Sequence, residues 1–379
     1  MKCKLSDICD FRKGKVDVSK LTLKTYISTE NMLPNKGGIT EASSLPTIQL
    51  TQEYKKGDVL VSNIRPYFKK IWRAKYDGGC SNDVLVFKGN SNIDGDFLYY
   101  VLANDEFFDY SMATSKGTKM PRGDKTSIMQ YEASLIDLQV QKKIASVLKV
   151  LDEKIELNNE INNNLEQQAQ AIFANEFLSL DMLPEGWKQA SLIDIADYLN
   201  GLAMQKYRPT ADESGIPVLK IKELRQGFCD DNSELCSPSI KSDYIIHDGD
   251  VIFSWSGSLL VDLWCGGICG LNQHLFRVTS NKYDKWFYYA WTKHHLDRFV
   301  AVAADKATTM GHIKRDELAK AEVLIPNEAD YNRIGALLQP IYEMIISNRM
   351  ENKKLAATRD ILLPKLMNGE IDMSEVDYE

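Results

Sequence analysis

"KKIASVLKVLDEKIELNNEINNNLEQQAQAIF", residues 142–173, decides the architecture. It holds no glycine and no proline, and it is far longer than a typical helix of about 11 residues. Ile144, Leu148, Leu151 and Ile155 continue through Asn158, Asn162 and Leu165 in alternating steps of four and three. That spacing is a coiled-coil seam, a stripe of side chains that must meet a facing helix. The chain supplies a partner. Ile334, Leu338, Ile341, Ile345, Asn348, Asn352 and Leu355 repeat the pattern at a constant shift of 190. Two such helices joined through one chain pack most simply antiparallel. The expected seam is Leu148, Leu151, Ile155, Asn158 and Asn162 against Ile341, Ile345, Asn348 and Asn352. Asparagine is a poor helix former; in a seam it penalises slipped registers, because a slip sets an amide against leucine, and the competing reading is that the four asparagines are solvated where the seam opens. Pro340 interrupts the second copy. A proline there removes a helix hydrogen bond and clashes with the preceding turn, at a cost of about 3 kcal/mol. The expectation is a short helix ending near residue 339 and a long one after it, or a kinked rod.

The repeat extends beyond the helices. Thr118 and Met120 shift by 190 onto Thr308 and Met310. "GDVLVS" at 57–62 matches "GDVIFS" at 249–254, and "SNDVLVF" matches "LNQHLFR" with Asn82 opposite Asn272. Phe97 and Tyr99 fall opposite Phe287 and Tyr289, and "LSDICDF" from Leu5 matches "LIDIADY" from Leu192. The chain reads as an α+β protein with an internal pseudo-two-fold repeat: two similar mixed α/β units separated by two long helices that form an antiparallel coiled coil. The expected divisions are 1–138 (first unit), 139–179 (first helix), 180–328 (second unit), 329–369 (second helix) and 370–379 (acidic tail). Strands are expected at 58–62, 69–74, 84–88, 218–221, 250–254 and 274–278, and helices at 96–104 and 284–302.

No apolar run is long enough to span a membrane and no secretory h-region opens the chain, so the expected location is the cytoplasm. The seven cysteines are odd in number and form no CxxC; the reading is reduced thiols, and Cys265 and Cys269 lack the spacing of a structural zinc site. Nothing marks catalysis. No glycine-rich phosphate loop follows a strand. "SWSGS" at 254–258 lacks the first glycine of a nucleophile elbow. His294 and His295 adjoin on a helix and face different ways, while His247, His274 and His312 are isolated. The duplication favours binding over chemistry, with no metal and no cofactor in this chain.

The net charge of −7 argues against a generally basic binder. Residues 55–75 nevertheless hold seven bases and one acid. In the first unit Arg65, Lys69, Lys70 and Arg73 are candidates for phosphates and Tyr67 for sugar or base edges. The competing reading is a basic strand face with Phe68 and Trp72 in the core. A glycine-rich loop adds Lys116, Lys119 and Arg122. In the second unit the candidates are Gln205, Lys206, Tyr207, Arg208, Gln273, His274, Lys306, Thr309, His312 and Lys314. Units that share a framework and differ in these residues would read different sequences. Ile161, Ile172, Phe173 and Phe177 flank the seam and are expected to face partner proteins.

The order and duplication of "GDVLVSNIRPYFKKIW", "GGCSNDVLVF", "GDVIFSWSGS", "LNQHLFRV", "TTMGHIKRDELAKAEVLIP" and both helix blocks resembles the specificity subunit of a Type I restriction–modification system over nearly the whole chain. The resemblance implies two target-recognition domains that bind a bipartite, asymmetric site on double-stranded DNA. It implies a non-catalytic chain. Two methyltransferase (modification) subunits, which bind S-adenosylmethionine, would dock on the helices, and restriction (motor-nuclease) subunits would complete the complex. The helices would also space the half-sites: about 24 residues at about 1.5 Å each span about 36 Å, near the 34–36 Å of one DNA turn. Trp255 departs from the pattern, since related sequences often carry a base there. The alternative is a coiled-coil scaffold that joins proteins without touching DNA.

Overall fold

The computed structural model describes residues 2–134, 136–305, 313 and 315–373. Helix α1 runs from Leu138 to Phe173. Asp137 opens it by accepting the Gln139 N–H at 2.8 Å, which satisfies one of the unpaired donors of the first turn. A π-helical turn, Ala174–Leu178, ends it. Helix α2, Glu328–Met367, is opened in the same way by Asn327, which accepts the Asp330 N–H at 2.9 Å.

The break expected at Pro340 does not occur: α2 runs unbroken through Pro340 and again through Pro364. Ile334 and Leu338 before the proline, and Tyr342 and Ile345 after it, are buried in one core. Burying a large apolar side chain contributes about 1.5–3 kcal/mol. Four of them outweigh a proline costing about 3 kcal/mol.

The chain divides into two units, residues 1–153 with 356–379, and residues 154–355. Each contains a stretch of both long helices. In the first, Ile144 and Leu148 share a core with Leu363, Leu366 and Met367, and Arg359 donates to Asp152 at 2.6 Å. In the second, Asn158 donates to the Asn352 carbonyl and Asn348 to the Asn162 carbonyl, both at 2.9 Å. Partner numbers fall on one helix as they rise on the other, so the pairing is antiparallel. The shift of 190 carries one asparagine pair onto the other. Asn158, Asn162, Leu148 and Ile345 are buried; Leu151, Ile155, Ile341, Asn348 and Asn352 are half-buried.

Each unit carries a four-stranded antiparallel sheet of one topology. In the first the strands are β1 (Cys9–Phe11), β2 (Val59–Ser62), β3 (Ile71–Arg73) and β4 (Val84–Gly89), ordered β1-β4-β2-β3. In the second they are β5 (Asp197–Asn200), β6 (Val251–Ser254), β7 (Leu260–Leu263) and β8 (Leu275–Thr279), ordered β5-β8-β6-β7. Both faces are buried, by period-two alternation. Val59, Val61, Ile71, Leu85 and Phe87 join the core that contains the long helices; Leu60, Trp72, Val84 and Val86 face a second core. Trp72 is thus a core residue. Val251, Phe253, Val261 and Leu263 divide from Ile252 and Leu275 in the same manner.

A second sheet lies in each unit. Gly78–Cys80 pairs antiparallel with Leu50–Tyr54 and parallel with Tyr26–Ile27. Cys269–Leu271 likewise pairs antiparallel with Ile245–Ile246 and parallel with Ile216–Leu219. The fourth strands sit at opposite edges: Lys15–Asp17 beside Leu50–Tyr54, and Leu235–Cys236 beside Ile216–Leu219. A short ladder closes each unit, Lys2–Lys4 with Glu132–Ser134 and Lys188–Ser191 with Glu322–Ile325.

Three local expectations need correction. Residues 284–302 form two helices, Lys285–His294 and Leu296–Asp305. The strand expected at 218–221 ends at Leu219, because Ile221 begins a helix. Ser62 lies opposite Val84 and Ser254 opposite Leu275. The counterpart of Asn82 is therefore Gln273, and Asn272 corresponds to Ser81.

Candidate nucleic-acid interface

Past β2 the chain makes a tight turn that brings the basic run to an edge. Ser62 Oγ donates to the Ile64 carbonyl at 3.2 Å. Pro66–Phe68 forms a single 3-10 turn flanked by Arg65 (φ 50°) and Lys69 (φ 49°). A left-handed conformation costs a non-glycine residue about 1–2 kcal/mol. A second such turn, at Asn35 (φ 53°) and Lys36 (φ 61°), bonds to the first through Asn35 N–H to Phe68 O at 2.8 Å and Lys36 N–H to Lys69 O at 2.9 Å.

The glycine-rich loop meets this edge. Lys116 and Arg122 exchange two backbone hydrogen bonds of 2.9 Å, the Arg65 N–H donates to Pro121 O at 2.8 Å, and the Gly123 N–H donates to Asn63 O at 3.2 Å. The two candidate segments of the first unit are thus one surface. The second unit repeats the framework. The Ile313 N–H donates to Trp255 O at 3.0 Å, as Gly123 does to Asn63. The Trp255 N–H donates to His274 O at 3.4 Å, as Asn63 does to Asp83 O at 2.8 Å. Ser254 Oγ reaches Ser256 O as Ser62 Oγ reaches Ile64 O.

Most of the predicted cations of the first unit are already engaged. Lys69 and Lys36 hold the Asp105 carboxylate at 2.9 and 3.0 Å. Burial alone would raise the Asp105 pKa, but the two ammonium groups hold it below the usual carboxylate range. Lys70 donates to Thr29 O at 2.6 Å, and burial lowers its pKa. Arg73 is ion-paired with Asp96; burial lowers its pKa as well. Lys69, Lys70 and Arg73 therefore each have a partner within their own unit, and a phosphate contact by any of them would compete with it. Lys116 pairs with Asp124, whose carboxyl is pushed down to about 2 by that hydrogen bond. Arg122 pairs with Asp83 at 3.3 Å. Tyr67 and Lys119 are exposed, and Arg65 is half-buried.

In the second unit a backbone bridge between Leu202 and Asn272 brings the 3-10 turn Met204–Lys206 beside Gln273 and His274. Gln205, Lys206 and Tyr207 are exposed, while Arg208 pairs with Glu234 at 2.9 Å. His274 Nδ1 lies 3.1 Å from Ser256 Oγ. The Trp255 indole N–H donates to Asn200 Oδ1 at 2.9 Å, and its ring stacks on Phe276 with centroids 5.5 Å apart. Trp255, Tyr198, Asn200 and Arg315 line a cavity of about 770 Å³. Lys306, Thr309, His312 and Lys314 lie outside the described residues. Sequence reasoning passed over Asn63, Asp83, Asn200 and Ser256. Their signal is positional: Asn63, Asp83 and Ser256 follow or precede repeated strand motifs.

Two expected partner contacts are core residues instead. Phe173 packs against Trp291 and Phe177 with centroids 4.9 and 5.0 Å away, and Phe177 packs against Trp187 and Phe287. Both are buried, because the helix preceding β-strand Lys188–Ser191 uses them to anchor its own unit. Ile172 packs at the margin of the same core, and Ile161 is half-buried. All seven cysteines are free thiols. Among the described residues no group of three or more His, Cys, Asp and Glu side chains is arranged to hold a metal ion, and no helix is long and apolar enough to cross a membrane.

Residues 1–167 and 184–357 match the family model of the Type I restriction modification DNA specificity domain. The Type I restriction enzyme MjaIX specificity subunit of Methanocaldococcus jannaschii is 25% identical over 85% of this chain and 79% of its own. The HindI specificity subunit of Haemophilus influenzae is 22% identical over 97% of this chain and 98% of its own. The crystal structure of the S subunit of a Type I restriction–modification system from M. genitalium has the same fold, with a TM-score of 0.58 at 15% identity over 97% of this chain and 96% of that one.

Proposed function

The chain belongs to the Type I restriction modification DNA specificity family, and from that premise we propose that it is the non-catalytic subunit that recognises a bipartite, asymmetric target on double-stranded DNA. In this reading it positions two methyltransferase subunits, with S-adenosylmethionine bound by those partners, and restriction subunits join the same assembly in the cytoplasm. The observation that carries the reading is a framework built twice with different side chains at matching places. Asn63 and Asp83 occupy in one unit the backbone positions that Trp255 and His274 occupy in the other. Backbone contacts to phosphates can be shared between such units, whereas sequence is read by the side chains that differ. On the long helices, exposed apolar side chains recur seven residues apart, at Val150 and Leu157 on α1 and at Leu337 and Met344 on α2. Within the second unit, exposed Leu157, Leu337 and Met344, rather than buried Phe173 and Phe177, are the apolar helix side chains available to a methyltransferase subunit.

The test is the salt dependence of binding to duplex DNA. A reader that neutralises phosphates loses affinity linearly on a log–log plot, with a slope of about −0.9 per phosphate contact. A steep slope together with methylated adenine at one bipartite motif, present only when this chain is expressed, supports the reading. Affinity for partner proteins with no salt-dependent DNA binding favours the scaffold.

A further inference from the structure

Arg65 stands apart from the cations around it. Lys69, Lys70, Arg73, Lys116 and Arg122 each meet an acid or a carbonyl of their own unit. Among the described residues the Arg65 side chain meets none. Its Nε is buried without a hydrogen-bond partner, so the paired Nη groups are the end that remains to make contacts. A buried donor left unpaired is costly and rare in a folded protein. A second orphan lies two residues away: Asn63 is buried, and its Oδ1 has no partner.

The backbone at Arg65 carries a further cost. Its φ of 50° suits glycine and strains arginine. The bonds that hold this turn are all main-chain. The Arg65 N–H donates to Pro121 O, the Arg65 carbonyl accepts the Phe68 N–H at 3.0 Å, and Ile64 bridges Arg122. Glycine at this position would keep every one of them and remove the strain. Strain retained where the fold does not need it points to function.

A phosphate contact asks only for a positive charge, which a mobile lysine supplies. Arg65 instead has its Cα pinned and its Nε enclosed, so the guanidinium can approach a ligand only end-on, with two N–H groups side by side. Two adjacent acceptors complement that fork, and in the major groove they are O6 and N7 of guanine. We propose that Arg65 is the residue through which the first unit specifies guanine, its Nη pair donating to O6 and N7. The proposal rests on the reading of the chain as a DNA-recognition subunit.

The experiment selects bound duplexes from a randomised pool with the full-length chain, as wild type, Arg65→Gly, Arg65→Asn and Arg65→Lys, at two salt concentrations, with an unfolding midpoint for each. The wild type is expected to enrich a guanine in one half of its motif. Arg65→Gly and Arg65→Asn, both tolerant of a left-handed backbone, should lose that preference by roughly 5- to 150-fold. The other half of the motif should not change, and neither midpoint should fall. Arg65→Lys should also lose the preference, since lysine keeps the charge but not the fork. A guanine preference that survives in all three, with affinity lower for every sequence and the salt slope reduced by about one, makes Arg65 a phosphate contact and overturns the proposal. Preference restored by lysine, or lost only together with the midpoint, overturns it too. A wild type that enriches no motif and shows no salt dependence fails at the DNA reading itself, a distinguishable result.

Discussion

At the residue scale, a basic run in a sequence shows charge but not counter-charge. Lys69 and Arg73 look like unpaired cations in the sequence, and the fold brings Asp105 and Asp96 to them. Those acids sit on helices far along the chain, and no local pattern connects them to the run. Arg349 shows the converse, a cation in an exposed-looking helix that the fold encloses. It donates to Asp262 at 2.8 Å, to the Leu263 carbonyl at 3.0 Å and to Glu166 at 3.1 Å. It thereby ties α2 to α1 and to β7. Glu166 has a second partner in Lys293 at 3.2 Å, but Asp262 has no other ion pair among the described residues. Arg349→Met should therefore lower stability by about 1.5–3 kcal/mol, the range for hydrogen bonds to charged groups. Arg349→Lys should recover only part of it, because an ammonium cannot fork between two carboxylates and a carbonyl. Denaturant unfolding measures both; an unchanged midpoint in Arg349→Met would mean that solvent already screens the cluster.

At the element scale, the long helices were the most legible part of the sequence. A seam period sustained over six steps and repeated at a fixed shift leaves few alternatives. The short strands of the second sheets were not legible. Tyr26–Ile27, Ile245–Ile246 and Leu235–Cys236 are only two residues each, too short to show alternation, and their pairing is set by tertiary packing. Pro340 misled for a related reason: local propensity placed a break where burial on both sides of the proline holds the helix together. The asparagine layer gives a direct test of what polar seam residues contribute. Asn158 also donates to Glu351 at 2.7 Å, and Asn352 donates to Asn159 at 2.8 Å, yet Asn158 Oδ1 remains buried and unpaired. Asn158→Leu alone sets leucine against the amide of Asn352 and should destabilise. Asn158→Leu with Asn352→Leu replaces both partners by apolar groups, so it should be neutral or stabilising relative to the wild type. A double variant less stable than the single would show that the layer holds the helices together rather than specifying their register.

At the scale of the whole molecule, duplication was visible in the sequence because framework residues recur. What each copy would recognise was not, because the residues proposed to read DNA are the ones that differ between the copies. The two copies also drift in register: the shift is 187 at Leu5 and 190 in the helices, and a one-residue slip in β4 and β8 misplaced Asn82 against Asn272. The cores are separate. Among the described residues, the apolar clusters of the first unit contain no residue of 154–355, and those of the second contain no residue outside it. Substitutions without shared contacts add independently, so a change of reading residues in one unit should leave the other's specificity intact. Gln205, Lys206 and Tyr207 are suited to the test. They are exposed, and the turn that presents them is held by the Leu202–Asn272 bridge and by the Tyr207 carbonyl, which accepts the Ser237 N–H at 2.8 Å. Arg208 is kept, since it bonds Glu234. Replacing the three side chains by unrelated polar ones should alter stability by no more than about 0.5 kcal/mol, the usual range for surface sites. The DNA motif selected by the variant should change in one half only. Mismatch penalties of about 1–3 kcal/mol per base pair are large enough for the lost positions to stand out against the unchanged half. Changes in both halves would mean that the units do not read independently, and the account of two separate readers on one helix pair would have to be abandoned.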